Sequence, residues 1–231
     1  MKIEILHGIE GARRARGLAV VIDVFRAFTT ACYAFAGGCE AVLPVAGAER
    51  AYELKRENPQ WLLMGERDTI KLPGFDYGNS PAEIETADIK GRTIVHTTSA
   101  GTQGLAAAET SADEVVTGAF VNAGAVARYA AASGHGRVTF VAMGTAGVEP
   151  SDEDTLCAEY LAGLMRGKSP DFEPIRNRLK TIPSAAKFFD PAQVQAPERD
   201  FALCTGLDAF DFVLQSVKSA SGIRKLVKKV G

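Results

Sequence analysis

The chain has 231 residues, 46% of them hydrophobic, and a formal net charge of −2. That length suffices for one large α/β domain or two small ones; no composition break marks a linker, so a single domain over residues 1–231 is expected. The small net charge disfavours a nucleic-acid binder held by bulk charge, and no apolar stretch approaches membrane-spanning length.

The N-terminus, Met1-Lys2-Ile3-Glu4-Ile5, lacks the apolar core of a signal peptide and reads as a first strand. A cytoplasmic protein is expected, with neither nucleic acid nor a membrane as partner. Leu18–Ile22 reads as a strand and Ala27–Ala36 as a helix stopped by Gly37-Gly38. Cys39–Val45 is a short strand, Ala48–Asn58 a charged amphipathic helix closed by Pro59, and Trp61–Met64 another strand. Asp68 to Asn79 reads as a long irregular segment, of the kind that is usually functional or mobile. Ser80-Pro81-Ala82-Glu83 then carries a serine cap, a proline at the first helical position and a glutamate at the third.

Arg92–Val95, Val115–Ala119 and Arg137–Ala142 are expected strands. Ala100–Glu109, Asn122–Ala132 and Ser151–Arg166 are the helices that follow them. A helical stretch is expected around Ile175–Phe189, interrupted by Pro183. Phe201–Cys204 reads as a late strand, and Arg224-Lys225 with Lys228-Lys229 as a solvated basic tail. This alternation is the α/β pattern.

Three strands end abruptly in polar clusters: Ile22 before Asp23-Val24-Phe25-Arg26, Val95 before His96-Thr97-Thr98-Ser99-Ala100-Gly101-Thr102, and Ala142 before Met143-Gly144-Thr145-Ala146-Gly147. Ligands of open α/β sheets sit beyond the carboxyl ends of strands. If the three strands are parallel neighbours, one pocket gathers acids, an arginine, hydroxyls and glycine amides, a mix suited to a metal-bound, highly anionic ligand.

Asp23 at a strand end is placed to hold a metal or attack phosphorus, and Arg26 to grip phosphoryl or carboxylate oxygens; the alternative is a structural ion pair between the two. The D-x-D phosphatase pattern is not met, since Phe25 takes the second aspartate's place. The hydroxyl-rich turn before Thr102 forms an anion nest or a ligand-free cap, and it lacks the Gly-Lys-Ser/Thr of a P-loop. His96 reads more readily as a packed core histidine. Asn79 and Ser80 face a ligand or simply make a turn and cap; Glu66 and Arg67 are functional or structural in equal measure; Asn122 is a helix N-cap. In Ser151–Arg166 the apolar stripe aligns Glu153 with Leu156 and Tyr160, and Asp154 with Cys157 and Leu161, so both acids point inward and Asp152 does not. First-turn acids also arise from the helix dipole alone.

The cysteines Cys32, Cys39, Cys157 and Cys204 form no C-x-x-C pair and no C-x5-R loop, and read as buried thiols. With three histidines, a metal must be held by oxygen ligands, which select Mg²⁺ beside phosphate. No G-x-G-x-x-G follows a strand, which disfavours a dinucleotide oxidoreductase.

Val21-Ile22-Asp23-Val24-Phe25-Arg26-Ala27, Gly65-Glu66-Arg67, Gly74-Phe75-Asp76-Tyr77-Gly78-Asn79-Ser80-Pro81 and Thr97-Thr98-Ser99-Ala100-Gly101-Thr102 occur in that order. Gly118-Ala119-Phe120-Val121-Asn122-Ala123 and Glu153-Asp154 with Cys157-Ala158 follow. This ordered set resembles the ComB family, the Mg²⁺-dependent 2-phosphosulfolactate phosphatases, over roughly Val20 to Cys204. The resemblance implies a three-layer α/β/α sandwich with a mixed, largely parallel sheet. It also implies hydrolysis of a 2-phospho-carboxylate, 2-phospho-3-sulfolactate in coenzyme M biosynthesis. A small anionic phosphorylated substrate is the expected partner, and a homodimer is allowed.

Under this reading Asp23, Arg26 and Asp154 are the catalytic candidates, and Asp23, Glu153 and Asp154 the candidate Mg²⁺ ligands. Arg67, Asn79, Ser80, Thr97, Thr98, Ser99, Gly101 and Thr102 form the expected substrate and phosphate set, with Arg67 or Lys71 on the carboxylate or sulfonate. Two positions depart from the family pattern: Ala100, where asparagine is frequent, and Phe28, where a third hydroxyl residue is frequent. Both bear on substrate selectivity. The rival readings are a phosphatase for another 2-hydroxy-acid phosphate and a non-catalytic sensor of a phosphorylated metabolite.

Overall fold

The computed structural model describes residues 1–219 and 222–230; Gly231, the last residue of the expected domain, lies outside them. In chain order the elements are β1 (Lys2–His7), α1 (Gly8–Arg14), β2 (Leu18–Ile22), α2 (Ala27–Ala36), β3 (Ala41–Pro44), α3 (Ala48–Glu57), β4 (Leu62–Arg67), β5 (Ile70–Lys71), α4 (Pro81–Glu85) and β6 (Thr93–Thr97). They continue with α5 (Gly101–Ala108), β7 (Glu114–Gly118), α6 (Ala123–Ala132), β8 (Arg137–Ala142), α7 (Asp152–Met165), α8 (Phe172–Leu179), α9 (Ala186–Phe189), α10 (Glu198–Cys204), β9 (Phe212–Lys218) and β10 (Arg224–Val230). Short 3-10 turns occupy Phe120–Asn122 and Pro183–Ala185.

The strands form one mixed, mostly parallel sheet in the order β1-β8-β2-β7-β9-β10-β3-β6-β4-β5. Period-two alternation sends its side chains to two helical layers. On β2, Ala19 and Val21 pack with Ala12 of α1, Ala27 of α2 and Leu105 of α5, whereas Leu18, Val20 and Ile22 pack with Val126 of α6 and Leu161 of α7. At the other end of the sheet Leu43, Leu63 and Val95 pack with Ala51 and Leu54 of α3. The three-layer α/β/α sandwich is therefore present. Among the described residues no helix is long and apolar enough to cross a membrane.

Four expectations are corrected. First, β2 and β8 are parallel neighbours, but β6 is separated from β2 by four strands. The β7–β9, β9–β10 and β10–β3 pairs are all antiparallel, so β3, β6 and β4 run opposite to β1, β8, β2 and β7. A twist of about 20–25° over each of the five steps turns β6 by roughly 100–125° relative to β2. Second, Phe201–Cys204 belongs to α10, not a strand. Pro197 precedes the helix, and Glu198 and Asp200 occupy its first turn, a helix-start pattern that overrides the short apolar run.

Third, the basic C-terminal segment is not a solvated tail but a strand inside the sheet. Leu226 is buried between Ser216 and Val42, and the Lys228 ammonium lies 4.4 Å from the centre of the Phe212 ring, so the stems cover apolar surface while the charges reach water. Fourth, Asp68–Asn79 is not wholly irregular. Asp68 and Thr69, at φ 52° and 72°, make the two-residue turn of a β4–β5 hairpin.

Asn122 lacks the expected capping bond. Its Oδ1 accepts from Ala119 N–H at 3.2 Å and its Nδ2 donates to the Phe212 carbonyl at 3.2 Å, which ties the α6 start to β9. Ser80 does cap α4, accepting from Glu83 N–H at 3.2 Å. All four cysteines are free and buried.

Candidate active site

The residues after β2 turn directly into α2, and the Asp23 carboxylate is held there by one bond. Its Oδ1 accepts from Ala27 N–H at 3.1 Å, and its other oxygen accepts no hydrogen bond among the described residues. That oxygen faces the start of α5: a Cβ on Gly101 would stand 2.8 Å from Asp23 Oδ2 and 2.9 Å from Ala27 Cβ. A Cβ on Gly104 would stand 2.2 Å from Met143 Sδ. These two glycines let α5 lie across the ends of β2 and β8, which is how the turn after β6 meets Asp23 despite the strands' opposite sense.

Asp154 locks the third edge. Its two oxygens accept from Val24 N–H and Gly144 N–H, each at 2.8 Å, so one carboxylate ties the exits of β2 and β8 to α7. Glu153 and Asp154 are buried, as the helical phase requires, whereas Asp152 is exposed and pairs with Arg178. Glu153 Oε2 accepts from Ser184 Oγ at 2.6 Å.

Burial raises the Asp23 carboxyl to about 6, against the lowering by the Ala27 N–H; Glu66 and Glu153 add to the rise. Asp154 is raised well above the usual carboxylate range by burial, then by Glu153 and Asp23, and its two N–H donors do not offset this. Glu66 accepts from Ser99 N–H and Ser99 Oγ through its two oxygens, and from Thr69 N–H, which fixes the hairpin turn against the α5 start. His96 is a packed core histidine. Burial lowers it to about 3, so the neutral ring faces Asn79 Oδ1 at 3.3 Å and leaves the Asn79 amide nitrogen free for the cleft.

These groups border one cleft. Its lining includes Asp23, Arg26, Asn79, Ser99, Glu153 and Asp154 from the expected set, together with Glu66, Asp68, Thr69, Ala100, Gly144, Ser184 and Lys187. Gly101 abuts Asp23 beside the cleft, and the other expected side chains, of Arg67, Ser80, Thr97, Thr98 and Thr102, support the site rather than line it. Thr98 and Thr102 bond each other reciprocally, Thr98 N–H to Thr102 Oγ1 at 3.0 Å and Thr102 N–H to Thr98 Oγ1 at 3.2 Å. Thr97 Oγ1 accepts from Arg67 at 3.0 Å, and Arg67 also donates to the Glu66 and Ala46 carbonyls. The hydroxyl nest is thus largely internal scaffolding. Of the two departures from the family pattern, Ala100 lines the cleft, whereas Phe28 is buried in the core.

Arg26 does not pair with Asp23. Its Nη1 donates to Asp200 Oδ2 and to the Gln195 carbonyl, both at 2.6 Å. Asp200 Oδ1 in turn accepts from Ser80 Oγ at 2.7 Å and Ala82 N–H at 2.9 Å. Lys187 is half-buried. Burial and then Arg26 lower its ammonium, and Glu153 and Asp23 partly offset that. Neither Asp200 nor Lys187 was marked by any local motif: both come from the excursion α8–α10 and reach the cleft only through tertiary packing. Lys71 is exposed and lies in a neighbouring groove, where its backbone N–H meets Gln195 Oε1.

The donor set fits a hard cation. Five acids line the cleft (Asp23, Glu66, Asp68, Glu153, Asp154) against two cations, and Asp200 already neutralises Arg26 from behind. Among the described residues no three acidic, histidine or cysteine side chains form a ready ligand cluster, so Asp23, Glu153 and Asp154 are not preassembled as a three-carboxylate cage. One or two carboxylates, completed by water and a phosphoryl oxygen, is the arrangement Mg²⁺ commonly takes.

A three-layer sandwich with buried acids, helix-start amides and a half-buried lysine around one strand-end cleft has the make-up of a site for a small anionic ester. A family model described as 2-phosphosulpholactate phosphatase matches residues 4–219. A Bacillus subtilis protein called "Probable 2-phosphosulfolactate phosphatase" is 32% identical over 219 residues, 93% of each chain. Proteins of the same name from Caldanaerobacter subterraneus (35%, covering 84% of this chain and 85% of that one) and Symbiobacterium thermophilum (44%, covering 63% and 64%) are also similar. The chain belongs to the 2-phosphosulpholactate phosphatase family, by its name a family of phosphoric monoester hydrolases.

Proposed function

We propose that the protein is a Mg²⁺-dependent phosphatase acting on the phosphate monoester of a 2-hydroxy carboxylic acid, 2-phospho-3-sulfolactate, to give 3-sulfolactate and phosphate. This is the reaction type of coenzyme M biosynthesis, and a cytoplasmic homodimer is part of the same reading. The observation that carries it is the charge imbalance of the cleft. A phosphate ester, itself carrying nearly two negative charges at neutral pH, enters a site rich in buried acids only if a cation accompanies it.

Asp23, with Glu153 or Asp154, would hold Mg²⁺, which supplies charge neutralisation at the phosphoryl group when bound. The chain's own donors complete the cradle. The Ala100 and Gly101 N–H groups at the start of α5 donate to no acceptor among the described residues and carry the positive end of the helix dipole. Asn79 Nδ2 is turned into the cleft by neutral His96. The Arg26 guanidinium is oriented by Asp200, so charge developing on the ester meets donors that need no reorganisation. The second reading, a phosphatase for another 2-phospho-carboxylate, is favoured by Ala100, which removes a polar side chain from the cleft wall.

Phosphate release from 2-phospho-3-sulfolactate, 2-phospholactate and glycerol 2-phosphate, each with Mg²⁺ and with chelator, tests this. Release is expected with Mg²⁺ and to be lost on chelation, fastest for the sulfonated ester. Thermal stabilisation by these esters without any phosphate release would instead identify a sensor.

A further inference from the structure

Among the described residues, Lys187 is the cation lining the cleft that has no carboxylate within the 4.0 Å of a salt bridge. Arg26, the other cation there, is paired with Asp200. The Lys187 ammonium makes one long hydrogen bond, 3.4 Å to the Phe25 carbonyl, and stands 5.3 Å from the centre of the Phe188 ring. A half-buried ammonium with donors to spare gains when an anion comes to it.

We propose that Lys187 binds an anionic substituent of the substrate other than the phosphoryl group, a carboxylate or sulfonate, and so sets which esters the cleft accepts. The inference rests on the phosphatase reading. The phosphoryl end already has its own donors in the Ala100 and Gly101 amides and Asn79, all outside the excursion that carries Lys187. The two cations expected to take the second anion are elsewhere: Arg67 is spent on Thr97 and two carbonyls, and Lys71 lies in the neighbouring groove. Lys187 is also held in place. The excursion is anchored on both sides of it, through Ser184 to Glu153 and through Asp200 to Arg26. An anchored ammonium is a better selector than a surface lysine, because less side-chain freedom is lost on binding.

Lys187→Met and Lys187→Arg, assayed on 2-phospho-3-sulfolactate and on phenyl phosphate, give the first readout. Lys187→Met is expected to cut the preference for the sulfonated ester by about 10- to 100-fold, chiefly through KM, the loss of one charge-assisted hydrogen bond. Lys187→Arg is expected to restore part of that preference. An equal fall in kcat on both substrates would place Lys187 at the phosphoryl group and overturn the inference. Calorimetric binding of 3-sulfolactate, which carries no phosphate, gives a second readout independent of turnover. Wild type is expected to bind it at least about 10-fold more tightly than Lys187→Met. Equal affinities, or no binding by wild type, overturn the inference. Were wild type to hydrolyse no ester yet lose 3-sulfolactate affinity on this substitution, the phosphatase reading would fail and the role of Lys187 would stand.

Discussion

Replacing Asp23 by asparagine is expected to abolish most turnover while making the cation-free protein more stable at alkaline pH. The activity loss follows from removing the carboxylate oxygen that faces the α5 start; a few kcal/mol of transition-state charge stabilisation corresponds to at least about 10²-fold in kcat. The stability gain has the opposite sign for a stated reason. Burial raises the Asp23 carboxyl from 3.8 to about 6, so the folded state binds its proton more tightly than the unfolded state. Stability from this group is therefore full below pH 3.8 and is lost as pH rises through about 6, a loss of about 3 kcal/mol by pH 8. Asparagine does not titrate. Thermal denaturation in chelator is expected to show Asp23→Asn above wild type at pH 8, with the gap closing towards pH 4. A gap of equal size at both pH values would mean that the buried charge is not its source. The same substitution retaining full Mg²⁺-dependent turnover would remove Asp23 from the mechanism.

Asp200→Ala is expected to have the largest effect on stability. Arg26 and Asp200 are 2% and 0% exposed, and Asp200 also serves Ser80 Oγ and Ala82 N–H. Removing it leaves a guanidinium buried without a counter-charge, which costs about 3–5 kcal/mol. Urea unfolding is expected to show a lower midpoint with an unchanged slope. The double variant Arg26→Met/Asp200→Ala is expected to recover part of the loss, because it no longer strands a charge. A loss under about 1 kcal/mol, typical of exposed pairs, would show that water reaches Arg26 and that the pair does not anchor α10 to α2.

These two cases also show where sequence reasoning reached and where it stopped. Asp23 follows a five-residue buried strand, which puts it at the strand end, and Glu153 and Asp154 continue a helical stripe whose periodicity turns both inward, as the structure does. The Ser80-Pro81 start of α4 was equally legible, because capping chemistry is local. Asp200 and Lys187 were not, since each lies more than 100 residues in sequence from its partner, Arg26 and the Phe25 carbonyl respectively. Segment α8–α10 is cut into short helices around Pro183 and Pro197, and a four-residue run such as Phe201–Cys204 cannot by itself separate helix from strand.

The sheet order failed for a related reason. Strand β10 is mostly lysine, arginine and valine, and only pairing with β9 and β3 reveals Leu226 as its inward residue. That hairpin separates β2 from β6 and reverses the second block, so the pocket forms by α5 crossing the sheet rather than by three neighbouring strand ends. The family motif of hydroxyls was visible, but hydrogen-bond geometry gives Thr97, Thr98 and Thr102 to the scaffold and leaves Ser99 and the Ala100 wall to the cleft.

The central claim is that the acids around Asp23 admit a phosphoryl group only in company with a divalent cation. Titration calorimetry of inorganic phosphate into the protein, with Mg²⁺ and with chelator, tests this without any assumption about the physiological ester. Saturable binding with Mg²⁺ and none in chelator is the predicted result. Equal affinity under both conditions would contradict it.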